Sequence, residues 1–197
     1  MSSSDPCDLG PRELLQIFAI FFENHSIDYR VVGSMASIAY GENRFTNDVD
    51  MVADLCSAHV APLCQYFQPP NYFLAPHAIE EAIKKRSQFN IIHIPAGLKA
   101  DIMLPKQTPF ANMEHRRARR LTDPDGLSAI FASPEDVILN KLIFYRLGES
   151  DKHLRDIAGI LKVMGAELDL AYIADWTTQL GVSGPWGLVQ QRVRESS

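Results

Sequence analysis

The chain has few cysteines, no surplus of positive charge and no long apolar run, and each shortage removes a class of function. Three cysteines in 197 residues, Cys7, Cys56 and Cys64, make an odd count without metal-ligand spacing. They write neither a disulfide framework nor a zinc site, and read instead as buried or half-buried free thiols of a reducing compartment. His25, His59, His77 and His93 show no ligand spacing either. The formal net charge of −5 leaves a surface poorly suited to non-specific nucleic-acid binding, which needs Lys and Arg to replace counterions. No apolar stretch is long enough to cross a bilayer. The start, Met1-Ser2-Ser3-Ser4-Asp5-Pro6, lacks the basic region and apolar core of a secretion signal. The expectation is a cytoplasmic protein with no membrane partner. Internal repeats and low-complexity segments are absent.

What is present is ordinary globular material. Hydrophobic residues make up 46% and charged residues 22%, enough to fill one core, or a small domain with an appended helical region. Leu14, Leu15, Ile17, Phe18, Phe21 and Phe22 recur at helical spacing after Pro11, predicting a helix over 11–24. Strands are predicted at 29–32, 48–53, 88–94, 98–104 and 127–131, with a turn at Pro95-Ala96-Gly97. Short helices are predicted at 34–40 with Ser34 as cap, 57–67, 79–86 and 109–118. From Ser133 the chain turns wholly helical: Ser133 caps a helix over 134–146, with Asp136 at the capping-box position. Helices over 151–164, 170–180 and 187–194 follow. The composition changes near residue 132, so the expected division is a core over 1–132 and a helical region over 133–197 packed on it.

One constellation carries chemistry. Asp48 and Asp50 lie two apart in a predicted strand and therefore share a face. Gly33-Ser34 stands upstream, at the end of one strand and the start of a helix. Gly33 admits close backbone approach, and Ser34 offers a hydroxyl and an amide at a helix N-terminus. Two carboxylates on one face beside such a turn can hold a divalent metal against a phosphate.

Gly33-Ser34, thirteen residues, then Asp48-Val49-Asp50 resembles the signature of the polymerase-β-like nucleotidyltransferase superfamily. The local form Arg44-Phe45-Thr46-Asn47-Asp48-Val49-Asp50 is similar to a bacterial branch of small nucleotidyltransferases and AbiEii/AbiGii-type toxins. Ser133-Pro134-Glu135-Asp136 with Lys141-Leu142, then His153-Leu154-Arg155-Asp156-Ile157, resembles the C-terminal helical pattern of that branch. The resemblance implies an α+β fold: a small mixed sheet with flanking helices plus a C-terminal helical segment. It also implies Mg²⁺ (Mn²⁺ as a substitute) and an NTP substrate. The reaction implied moves an NMP to an acceptor hydroxyl on RNA, protein or a small molecule, with release of pyrophosphate.

The resemblance further implies a third acid on a neighbouring strand, which serves as base. Asp101 fits: it sits mid-strand among apolar residues, where a charge is costly unless paired or metal-bound. Asp48, Asp50 and Asp101 are thus the expected catalytic and metal-holding residues. Gly33, Ser34, Arg44, Thr46 and Lys141 are the expected nucleotide-binding residues, with Asp156 orienting Lys141 or Arg44.

Plainer readings stand beside these. Asp101 could face water on an edge strand, Arg44 could brace Asp48 or Glu42, and Lys141 with Asp156 could be a helix-surface ion pair. Glu135 and Asp136 complement the helix dipole in its first turn. The run His115-Arg116-Arg117-Ala118-Arg119-Arg120 reads either as a guide for an RNA acceptor or the triphosphate, or as a solvated helix end. Trp176 and Trp186 read as packing residues. Two other functions fit the same motifs: a toxin of a toxin–antitoxin pair that modifies RNA and binds an antitoxin, and a non-catalytic nucleotide-binding member.

Overall fold

A computed structural model describes residues 9–41 and 45–195. Contacts divide the chain into two compact units: Met1–Ser34 with Thr46–Phe131, and Met35–Phe45 with Ala132–Ser197.

The first unit holds a mixed sheet of β1 (Tyr29–Val31), β2 (Asp48–Ala53), β3 (Tyr72–Phe73), β4 (Gln88–His93), β5 (Leu98–Met103), β6 (Arg119–Thr122) and β7 (Ser128–Phe131). Their order across the sheet is β3-β4-β5-β2-β1-β7-β6. β2 runs parallel to β5 and antiparallel to β1, and β1 pairs in parallel with β7. The remaining neighbours are antiparallel. Helices α1 (Pro11–Asn24), α3 (Val60–Tyr66), α4 (Pro76–Lys85) and α5 (Pro109–Arg117) belong to this unit, as do Gly33 and Ser34, the first two residues of α2 (Gly33–Tyr40).

Alternation along the two central strands separates core from site. Val49, Met51 and Ala53 of β2 and Ala100 and Ile102 of β5 are buried on one face. The apolar stripe of α1 lies over this face, with Phe18 stacked on Phe67 at 4.6 Å between ring centroids. Burying one face this way fixes the register, because a one-residue slip would turn the apolar set outward. The opposite face carries Asp48, Asp50 and Val52 on β2 and Lys99, Asp101 and Met103 on β5, all at least partly exposed.

The fold class is the expected one, but several details differ from expectation. Two strands have no clear sequence signal: β3 is only two residues long, and β6 interrupts what reads as the basic end of a helix. That helix, α5, stops at Arg117, and Arg119 and Arg120 pair with β7 through the registers Arg119↔Phe131 and Arg120↔Ile130. α2 starts at Gly33, so Ser34 lies inside its first turn rather than capping it. The 57–67 segment opens as a 3-10 turn, Ser57–His59, before α3. Cys56 is exposed and Cys64 half-buried, so the former is no core thiol; Cys7 lies outside the described residues.

The second unit contains α6 (Pro134–Gly148), α7 (Asp151–Met164), α8 (Leu170–Gln179) and α9 (Ser183–Glu195). Ser133 caps α6: its Oγ accepts from the Asp136 amide at 3.2 Å and donates to Asp136 Oδ2 at 2.7 Å. Glu135 and Asp136 do more than complement the dipole, because both are buried. The Tyr172 hydroxyl donates to Asp136 Oδ1 at 2.6 Å, and the Asp169 amide donates to Glu135 Oε1 at 3.1 Å. These bonds tie α8 to the start of α6, which is how buried carboxylates become tolerable. Trp186 is buried in this unit. No helix among the described residues is long and apolar enough to cross a membrane.

Candidate active site

The site is built by three adjoining pieces of the first unit. β2 and β5 place Asp50 directly opposite Asp101 and Asp48 opposite Lys99. Partners in register share a sheet face, so all three acids and Lys99 stand on the open side. β5 lies between β4 and β2, so Asp101 is not on an edge strand, and its side chain is only 19% exposed. The third piece is the turn from β1 into α2. Because β1 runs antiparallel to β2, the chain leaving β1 passes alongside Asp50, and the Val32 amide donates to the Asp50 carbonyl at 2.9 Å.

Glycine is required at that turn on two grounds. Gly33 has φ +63°, a conformation costly for any residue with a Cβ. A Cβ built there would lie 2.1 Å from Asp50 Oδ2. The next amide, that of Ser34, donates to the same oxygen at 3.4 Å. Gly33-Ser34 is therefore a cradle for the Asp50 carboxylate, formed by an absent side chain and a backbone donor at the start of a helix.

The electrostatics follow from the crowding of acids. Burial raises the Asp50 carboxyl above its ordinary range; the charges of Asp101 and Asp48 push the same way, while the Ser34 N–H and Lys99 oppose it. Lys99 answers this field. Its Nζ lies 2.7 Å from Asp101 Oδ2. Its pKa is raised first by the hydrogen bond to Asp101 and further by the charges of Asp101, Asp48 and Asp50, against the lowering effect of burial. Sequence reasoning passed over Lys99. The available signal was its spacing, two residues before Asp101 and hence on the same face.

The other expected residues are distributed differently. Thr46 lies in the irregular segment before β2. Arg44 lies outside the described residues. Lys141 belongs to α6 in the second unit, where its Nζ sits 2.5 Å from Asp156 Oδ2. Both side chains are under a tenth exposed, so this is a buried ion pair and not a helix-surface one.

Among the described residues no three His, Cys, Asp or Glu side chains close into a ready-made metal cage. Mg²⁺ does not need one: it takes one or two carboxylates and completes its shell with water and substrate phosphates. Hard oxygen donors on one face, mutually repelling and with Lys99 among them, fit such a cation.

No protein-family model matches this sequence, and no curated protein does. Likeness appears in solved structures. An antigenic nucleotidyltransferase-like protein from Paracoccidioides brasiliensis superposes with a TM-score of 0.56 at 17% identity, over 86% of this chain and 88% of that one. ANT(2")-Ia in complex with adenylyl-2"-tobramycin superposes with a TM-score of 0.54 at 11% identity, over 85% of this chain and 97% of that one. The chain thus has a nucleotidyltransferase fold, the architecture of these two structures.

Proposed function

We propose that this chain is a divalent-metal-dependent nucleotidyltransferase. The observation that carries the reading is the facing pair Asp50 and Asp101, with Asp48 on the same face and the Gly33-Ser34 turn seating the Asp50 carboxylate. A fold alone does not set an activity; these side chains at this place on the fold support it.

In the proposed reaction an acceptor hydroxyl attacks the α-phosphorus of an NTP. A new oxygen–phosphorus bond forms, the bond to the bridging oxygen breaks, and pyrophosphate leaves. Asp48 and Asp50, with Asp101 beside them, would hold Mg²⁺, which when bound neutralises phosphate charge. Asp101 takes the hydroxyl proton. Its ion pair with Lys99, at 2.7 Å, fixes where that carboxylate stands. Ser34 keeps Asp50 in place through its amide, and Gly33 leaves the room that this placement needs.

The test is pyrophosphate release and label transfer from each of the four α-labelled NTPs with Mg²⁺, offered RNA, protein and small-molecule fractions of a cell extract. Transfer lost in Asp48→Asn/Asp50→Asn supports the assignment, and transfer retained by that variant removes it. Label in RNA, toxicity on expression and relief by a neighbouring gene product would select the toxin reading. Tight NTP binding without turnover would select a non-catalytic member.

A further inference from the structure

The open sheet face continues past the carboxylates into a cavity of about 570 Å³. Its near wall is Val52, two residues beyond Asp50 on the same face, so it begins about 7 Å along the strand from that carboxylate. Arg30, Arg86, Lys106 and Arg116 line it, against the acids Asp28 and Asp54.

The four cations are not equally engaged. Arg86 donates to Asp54 Oδ1 at 3.0 Å. Arg30 is opposite Val52 in the β1–β2 register, which puts it on the carboxylate face. It is buried under α5, and its side chain pairs with Glu114 Oε2 at 3.2 Å. The Arg30 Nε–H remains buried without an acceptor, which a native structure seldom leaves so unless a ligand or water completes it. Lys106 and Arg116 are exposed at the rim and make no ion pair among the described residues. Arg116 belongs to the basic run that the transfer reaction leaves unexplained.

We propose that this cavity receives the phosphate group of a small-molecule acceptor whose hydroxyl reaches the Asp50–Asp101 centre. The proposal rests on the transfer reading above. A guanidinium fork and an ammonium around one concavity are the donors that phosphate oxygens select. The volume falls in the range of small-ligand pockets, and a chain of net charge −5 is a poor match for a nucleic-acid backbone. The span suits a compact phosphate ester: the lining runs from Val52 to Asp54, which is about 7–13 Å from Asp50 along the strand.

Inorganic phosphate titrated into the full chain is the first probe, read by backbone amide and arginine Nε–H resonances. Shifts are expected at the Arg30 Nε–H and at the Lys106 and Arg116 amides. Lys106→Ala/Arg116→Ala, two exposed positions, should weaken binding by about tenfold, whereas Asp48→Asn/Asp50→Asn should leave it intact. Label transfer to a small-molecule extract should vanish when the extract is first dephosphorylated and the phosphatase removed. The proposal is overturned if those groups do not shift, if the Lys106/Arg116 variant binds phosphate as the parent does, or if dephosphorylated extract still accepts label. Phosphate binding without transfer to untreated extract would overturn the acceptor role together with the transfer reading. Transfer without phosphate binding would overturn the cavity proposal alone.

Discussion

The Asp50 carboxylate occupies the space that a side chain at residue 33 would need. A Cβ on Gly33 would meet Asp50 Oδ2 at 2.1 Å, Cγ at 2.6 Å and Cβ at 2.7 Å. The last two atoms are close to the β2 backbone and cannot swing clear as a flexible chain end would. Gly33→Ala therefore combines left-handed backbone strain with a forced displacement of Asp50. The expected cost is about 2–4 kcal/mol in stability. Transfer activity should fall by two orders of magnitude or more, because misplacing a reacting group by about 1 Å costs about 100-fold. Denaturant unfolding and label transfer measured on the same preparation check both parts.

How much of this site can be read in advance depends on the physical signal behind each residue. Asp48 and Asp50 are legible because strand periodicity alone puts them on one face. Asp101 is reached through the family resemblance and its place mid-strand among apolar residues, but its exact register opposite Asp50 is not legible, since it depends on β5 lying parallel beside β2 across a long sequence gap. Lys99 is hidden for the same reason: its importance comes from sitting opposite Asp48. β3 is too short to leave a pattern, and β6 is written in arginines, which report the charge of an edge and not its backbone. In the helical unit the cap at Ser133 is plain in the sequence. The burial of Glu135 and Asp136 is not, because their partners Asp169 and Tyr172 come from α8.

Asp50 should also govern the response of stability to pH. Folding raises its pKa, chiefly through burial and then through Asp101 and Asp48. The folded protein thus holds this proton more tightly than the unfolded chain. The contribution favours folding at low pH and is lost as pH rises from the ordinary carboxylate range through the raised value. Asp50→Asn removes that loss while keeping an oxygen for the Ser34 amide. It should raise the melting temperature at neutral pH, by about 2–4 °C for each kcal/mol recovered in a chain of this size. It should also flatten the pH dependence. The parent should gain stability with added Mg²⁺ and the variant should gain less; calorimetry with and without the metal separates the two.

Among the described residues Lys99 places a positive charge on the acidic face, where it competes with an arriving metal ion. Lys99→Met should tighten Mn²⁺ binding by about three- to tenfold, since one neighbouring positive charge is removed from the coordination field. Stability without metal should change little: the pair with Asp101 is partly solvated, and such pairs contribute about 0–1 kcal/mol. Transfer should slow, because Asp101 loses the ion pair that fixes its carboxylate in place. Mn²⁺ titration followed by electron paramagnetic resonance reads the first effect, and label-transfer rates read the third. Unchanged metal affinity would place Lys99 outside the field of the site.

Lys141 and Asp156 join α6 to α7 inside the helical unit at 2.5 Å, with side-chain exposures of 7% and 6%. Charges so far from water are costly unless paired, and removing one takes an opposite charge away from the other. Asp156→Ala should destabilise the protein by about 3 kcal/mol, because a buried ammonium loses that carboxylate. The double replacement Lys141→Met/Asp156→Leu should recover most of the loss, because it removes both charges and keeps the volume. Phosphate binding at Lys106 and Arg116 provides a control, since those residues belong to the other unit. If the double variant regains parental stability and transfer, the pair is structural. If it regains stability while transfer stays slow, the pair serves the reaction as well as the fold. Unfolding free energies paired with steady-state kinetics on the three proteins distinguish these outcomes.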